Sequence, residues 1–255
     1  MTANHAPDLP APPTLSSNDQ VALFLDLDGT LAAIEPRPQD VQPEPWRSGL
    51  LRRLLAHLDG RVAVVSGRTL EDIDRIIEDV VTPVAAVHGL VRRRADGAVL
   101  RPLAHPHFGR ARTQAAAFAI NHAGVELEDK GLSLALHYRR APDLAGTVVE
   151  AAKQIARSND QALQLGDMVA EIRTPGFDKG TAVEAFMSEA PFQGAVPIFV
   201  GDDLTDEDGF RAAQALGGLG VLTGPQRLTG ARYRLADVAA VRRWLEGPLR
   251  EKAAS

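Results

Sequence analysis

The chain contains no cysteine in its 255 residues. Disulfide frameworks, thiolate zinc sites, iron–sulfur clusters and every mechanism built on a cysteine nucleophile are thereby excluded. Aromatic residues are scarce, 5% of the chain, and 28 Lys and Arg stand against 33 Asp and Glu, a net charge of -5. A nucleic-acid binder needs a basic face, and for single strands aromatic stacking platforms, so nucleic acid is not an expected partner. No apolar run approaches the roughly 20 residues that cross a bilayer, so no membrane is expected either. The first twenty residues hold four prolines and neither a basic leader nor an apolar stretch. Residues 1–19 are therefore read as a disordered proline-rich tail, with no signal peptide, and the protein as a cytoplasmic monomer.

A hydrophobic content of 45% is enough for a buried core. Short β-branched runs at 21–25, 62–65, 84–87 and 196–200, with another near 219–222, read as strands. Between them, 46–58, 69–81, 181–189, 205–216 and 238–245 carry apolar residues at helical spacing. Alternation of this kind predicts an α/β fold, a doubly wound parallel sheet occupying 20–100 and 175–248. Residues 101–174 break the rhythm, with helix-like segments at 110–122 and 144–157 and strand-like ones at 132–138 and 168–173. In the first of these strands Leu132, Leu134, Leu136 and Tyr138 share one face, and Ser133, Ala135, His137 and Arg139 the other. Half-buried alternation suits an antiparallel sheet with one wet face, so this stretch is expected to be an inserted α/β cap.

The first strand runs into Asp26 and Asp28, two acids on an extended segment at the carboxyl edge of a parallel strand, where open α/β sheets bind ligands. A solvated Asp-Gly turn is the plain alternative. A calcium loop fails, because Leu31 stands where glycine is needed and Arg37 where glutamate is needed. The second strand leads into Ser66, Gly67 and Arg68 ahead of a helix, a pattern that suits an anion and equally suits an ordinary cap. After the strand at 196–200 come five acids within residues 202–208. Thr205 is a plausible cap there, while Asp202 and Asp203 precede it at the same sheet edge as Asp26. Acids converging from two strand ends repel unless a hard cation sits between them, and oxygen-only ligation suits Mg²⁺. Lys179 opens a helix against its dipole; it could offset phosphate charge or simply be solvated.

Taken together, DLDGT, the SGR after the second strand, the lysine of DKG and GDDLTD resemble the four motifs of the haloacid dehalogenase (HAD) superfamily. Within it, Glu128-Asp129-Lys130, the LHYR at 136–139, the EIR at 171–173 and GDDLTDED at 201–208 are similar to the trehalose-6-phosphate phosphatases. The resemblance runs from about Val21 to Trp244. It implies a doubly wound HAD-like core with an inserted cap, and hydrolysis of trehalose 6-phosphate through an aspartyl phosphate with Mg²⁺ as cofactor. Asp26 would be the nucleophile and Asp28 the general acid and base. Asp26, Asp28 and Asp202 would hold the metal, with Asp203 and Asp206 orienting its waters. Ser66, Gly67 and Lys179 would bind phosphate. Substrate binding falls to Arg68, His88, Glu128, Lys130, Arg139 and Glu171, with a solvated strand face or a simple turn as the alternative for several of these. A related sugar-phosphate phosphatase, a phosphomutase and a catalytically silent sugar-phosphate binder are the competing functions.

Overall fold

The computed structural model describes residues 8–15 and 20–251. The strands are β1 (Val21–Leu25), β2 (Val62–Val65), β3 (Val84–Ala86), β4 (Val91–Arg93), β5 (Val99–Leu100), β6 (Glu126–Asp129), β7 (Ser133–His137), β8 (Ala162–Gly166), β9 (Val169–Arg173), β10 (Val196–Gly201), β11 (Leu219–Thr223) and β12 (Tyr233–Leu235). The α-helices are α1 (Pro45–His57), α2 (Leu70–Ile77), α3 (Phe108–Ile120), α4 (Ala145–Ser158), α5 (Lys179–Met187), α6 (Glu207–Ala215) and α7 (Val238–Glu251). They form two compact units. The larger comprises the described parts of Met1–Leu100, Asp178–Asp202 and Asp206–Ser255, and the smaller comprises Arg101–Phe177 with Asp203–Thr205.

The larger unit is built on an eight-stranded sheet of order β12-β11-β10-β1-β2-β3-β4-β5. Its first six strands are mutually parallel, and β4 and β5 add an antiparallel edge. Every residue of β1 is buried, as a strand covered on both faces requires. Alternation sends Ala22 and Phe24 to the face that packs on α5 and α6, where Phe186, Phe192, Phe199 and Phe210 join them. Five of the eight phenylalanines in the sequence are thus gathered in one cluster, with Phe24 5.5 Å from Phe192 and Phe199 5.7 Å from Phe210 between ring centroids. Leu23 and Leu25, equally buried, point the other way. From β1 the chain steps outward through β2 and β3, and from β10 outward in the opposite direction through β11 and β12. The order therefore reverses between β1 and β10, and a crevice at their carboxyl ends is the place such a sheet offers a ligand.

The smaller unit is a four-stranded antiparallel sheet of order β6-β7-β9-β8. One face packs on α3 and α4 through Leu134, Leu136, Ala170 and Ile172. It has twice the two strands expected, because β6 reads Glu-Leu-Glu-Asp, too acidic to announce a strand, and β8 is an edge strand in which no residue is fully buried. Two helices also depart from expectation. The one predicted over 69–81 stops at Ile77, where Glu78 and Asp79 turn left-handed, and the one predicted from Thr205 starts at Glu207 after a single 3-10 turn, so Thr205 is no cap. Of the expected tail, 1–7 and 16–19 lie outside the described residues. Residues 8–15 are held against the larger unit: the Arg234 N–H donates to the Pro10 carbonyl and the Trp244 indole to that of Pro13, both at 2.9 Å. Proline loses its donor but keeps its acceptor, so a proline-rich segment can still dock through carbonyls. Among the described residues no helix is long and apolar enough to cross a membrane.

Candidate active site

Asp26 continues the β1 ladder, its N–H donating to the Val200 carbonyl at 2.9 Å, so the strand fixes where its carboxylate stands. The chain then turns on the Leu27 carbonyl, which accepts from Leu31 and Ala32 at 2.9 and 2.8 Å. Gly29 sits at φ +76°, and a Cβ there would lie 2.1 Å from Asp202 Oδ2. Only glycine lets this turn approach the end of β10 so closely. Lys179 is almost wholly buried at the first position of α5, a helix capped by the reciprocal bonds of Asp178 and Thr181. Its ammonium donates to Asp26 Oδ1 at 2.8 Å and to Asp206 Oδ1 at 2.5 Å, while Asp206 Oδ2 accepts from the Asp202 N–H at 2.9 Å. The dipole objection to this lysine is answered by those two carboxylates.

Three carboxylates meet around one ammonium in this cluster. Carboxylate oxygens of Asp26, Asp202 and Asp206 lie within 4.8 Å of one another, a close set of hard oxygen donors beside one ammonium. Burial drives the Asp26 carboxyl well above its usual range; the Lys179 ammonium pulls it back, and Asp206 and Asp202 add to the rise. Burial would lower Lys179, but Asp206 and Asp26 outweigh it and push the ammonium far above the lysine range. An all-oxygen set of this kind suits a hard divalent cation. Asp206 commits both oxygens to Lys179 and the Asp202 amide, so its place is behind the site, and Asp26 and Asp202 are the carboxylates that could hold a metal. Asp203 is half-buried and accepts from the Leu204 N–H at 2.7 Å.

At the end of β2 the Ser66 N–H donates to Ala85 at 2.8 Å, and Thr69 caps α2 by accepting from the Asp72 N–H at 3.2 Å. Gly67 and Arg68 fall between these anchors. A Cβ on Gly67 would come within 2.4 Å of His88 Nε2, so the buried His88 ring is seated on the Gly67 backbone. His88 and the β-branched Val87 both adopt left-handed backbone, φ +54° and +50°, held there by bonds to the Ser66 and Arg68 carbonyls at 3.0 and 2.8 Å. Strain of this kind persists only where the surroundings enforce it. Arg68, expected at the substrate, lies beside Asp28. Its guanidinium takes both oxygens of Asp28, at 2.6 and 2.8 Å, together with the Pro38 carbonyl and Asp72. Burial would lower its pKa, but the bonds to Asp28 and Asp72 carry it well above the ordinary arginine range.

In the smaller unit the sheet face turned away from α3 and α4 gathers a second polar cluster, and it is not the wet face expected: Ser133 and Ala135 are fully buried and Glu171 nearly so. Register aligns Glu128, Ala135, Glu171 and Gln164 in one row across the four strands. Glu171, almost wholly buried, accepts from Ser133 Oγ at 2.5 Å and from Lys130 Nζ at 3.4 Å. Glu128 pairs with His137 Nε2 at 2.8 Å and lies 4.0 Å from Lys130. Burial acts to raise Glu128, but His137 and Lys130 hold it below the usual carboxylate range. Arg139 is not brought into this cluster: β7 ends at His137, and Arg139 lies in the following turn, exposed and paired with Asp167 at 2.6 Å. Ser133 and His137 are the cluster members that reading the sequence for site residues passed over, although both lie on the predicted wet face.

Comparison with known proteins places these clusters in context. The trehalose-phosphatase family profile matches residues 24–238. The trehalose-6-phosphate phosphatase of Escherichia coli (strain K12) is 42% identical over 239 residues, covering 92% of this chain and 88% of that protein. Among solved structures, a trehalose-6-phosphate phosphatase related protein is 25% identical with a TM-score of 0.76, covering 92% of this chain and 100% of that one. A HAD-superfamily phosphatase from Bacteroides thetaiotaomicron, 18% identical with a TM-score of 0.62 over 96% of this chain and 98% of that one, shares the fold.

Proposed function

The chain belongs to the trehalose-phosphatase family of phosphoric monoester hydrolases, and from that premise we propose that it hydrolyses trehalose 6-phosphate to trehalose and inorganic phosphate, with Mg²⁺ and an aspartyl-phosphate intermediate. The observation that carries this reading is the meeting of Asp26, Lys179, Asp206 and Asp202 at the point where the sheet order reverses. Asp26 attacks phosphorus and the bond to the sugar oxygen breaks, that oxygen taking a proton from Asp28. Water then attacks the acyl phosphate, gives its proton to Asp28, and the bond from phosphorus to Asp26 breaks to release phosphate. Mg²⁺ held by Asp26, Asp202 and the Asp28 carbonyl would supply charge screening between an anionic nucleophile and a phosphate dianion. Ser66, Gly67 and Lys179 take the phosphate oxygens, a contribution of preorganised electrostatics.

Arg68 fits a role on Asp28 better than one on the sugar, since both Asp28 oxygens are already engaged by it. Asp28 must exchange that partner for the leaving oxygen during turnover. Sugar recognition belongs to the smaller unit, through the carboxylates of Glu128 and Glu171, which can each accept several hydroxyls, and the Lys130 ammonium, which donates. We place the enzyme in the cytoplasm as a monomer acting on a small molecule. A phosphate-release panel of trehalose 6-phosphate, other disaccharide and hexose phosphates and p-nitrophenyl phosphate, with and without Mg²⁺, tests the reading. The expected outcome is Mg²⁺-dependent release fastest from trehalose 6-phosphate. Faster turnover of another sugar phosphate, isomerised product in place of free phosphate, or binding without release would each replace it with a competing function.

A further inference from the structure

The cross-strand row of the smaller unit holds one polar residue that neither the motifs nor the proposed chemistry uses. Gln164 of β8 stands directly opposite Glu171 of β9, so the two side chains leave the same face of the sheet. Its carboxamide oxygen is buried and, among the described residues, has no hydrogen-bond partner. A buried acceptor without a partner is costly to keep, and here it is kept one strand away from the carboxylate that Ser133 and Lys130 hold in place. The centre of the row is Ala135, the smallest of its four side chains and fully buried.

The chemistry of the row is incomplete without this amide. Glu128 and Glu171 only accept hydrogen bonds and Lys130 only donates them, whereas each hydroxyl of a sugar does both. A neutral carboxamide can do both without adding charge to a face that already carries two acids. We propose that Gln164 is a further specificity-determining residue, accepting a hydroxyl of the non-phosphorylated part of the substrate beside Glu171. This rests on the sugar-phosphate reading above.

The test is Gln164→Met, which keeps the length of the side chain and removes its polar end. KM for trehalose 6-phosphate should rise about 3- to 10-fold, as expected for one lost neutral hydrogen bond, with kcat/KM for p-nitrophenyl phosphate unchanged. The thermal midpoint should stay level or rise, because an orphaned buried oxygen has been removed; a residue kept for structure would show the opposite. An unchanged KM, or equal losses on both substrates, overturns the assignment. Gln164→Leu is read in the same way should the Met variant not fold, and failure of both to fold assigns Gln164 to the structure and also overturns it. Wild-type enzyme active on the aryl phosphate but silent on trehalose 6-phosphate would defeat the functional reading itself. Wild type active on both, with Gln164→Met indistinguishable from it, would defeat only the role of Gln164.

Discussion

Lys179 joins Asp26 to Asp206 behind it, since its ammonium bonds both with almost no exposure of any of the three. Removing one member of a buried ionic cluster leaves the others uncompensated, at a cost of about 3–5 kcal/mol. Lys179→Met should therefore lose activity and, by urea denaturation of the metal-free protein at pH 7, lose stability of about that size. The sign of the pH dependence follows from the carboxylates that remain. Asp26 already sits above the usual range, and taking away its cation raises it further, so the deficit should narrow as pH falls and a proton relieves the repulsion. In the wild type the lysine contribution is fully present below the ordinary lysine range and disappears only as pH climbs beyond it. A deficit that widened on acidification would show that the ammonium is not what holds these acids together. Asp26→Asn makes the complementary case. It should abolish phosphate release while leaving the denaturation midpoint equal or higher, because one buried charge is gone; appreciable residual turnover would remove Asp26 from the role of nucleophile.

At the scale of elements, each half of the proposed reaction depends on how one segment is anchored. Helix α5 presents Lys179 at its first turn, and the Asp178–Thr181 capping box fixes that turn. Asp178→Ala should cost about 0.5–2 kcal/mol of stability and lower kcat more than it raises KM, read by denaturation and steady-state kinetics together. On the cap sheet, Glu171→Ala should reduce kcat/KM for trehalose 6-phosphate by one to two orders of magnitude on the scale of a lost charged hydrogen bond, with p-nitrophenyl phosphate little affected. Equal losses would take Glu171 out of sugar recognition. The same elements show what the sequence could and could not disclose. Strands β1, β2 and β10 are apolar runs ending in Asp, Ser or Gly-Asp, so the parallel sheet was legible, and so was the edge at which Asp26 and Asp202 meet. The alternation over 132–138 disclosed which face of β7 packs on the helices and which carries the polar cluster, but not that the polar face is buried as well. Strand β6 was not legible, because three acids in four residues obscure the pleat and its stability comes from pairing with β7. Pairings between distant side chains were hidden for the same reason. Nothing local in Arg68 indicates that it bonds Asp28 forty residues away, and nothing in Arg139 shows that the strand stops two residues before it.

For the molecule as a whole, a net charge of -5 understates how unevenly charge is distributed. Three acids crowd one ammonium at the reversal of the sheet, so the metal-free fold carries repulsion that a divalent cation would relieve. A ligand that binds only the folded state stabilises it by RT ln(1 + [L]/Kd), about 2.7 kcal/mol at a hundredfold excess over Kd. For a chain of this size that corresponds to a rise in Tm of roughly 5–10 °C. Mg²⁺ should accordingly raise the thermal midpoint and EDTA should reverse it. Asp202→Asn separates this linkage from a general salt effect, because it removes a proposed ligand and part of the repulsion together. Its metal-free Tm should equal or exceed that of the wild type, while its response to Mg²⁺ should largely vanish, so that the order of stability of the two proteins inverts as Mg²⁺ is added. Differential scanning calorimetry at constant ionic strength, with Mg²⁺ replaced by Na⁺ in the control, reads this inversion directly. Parallel Mg²⁺ responses in the two proteins would mean that the cation binds elsewhere and that Asp202 is not its ligand.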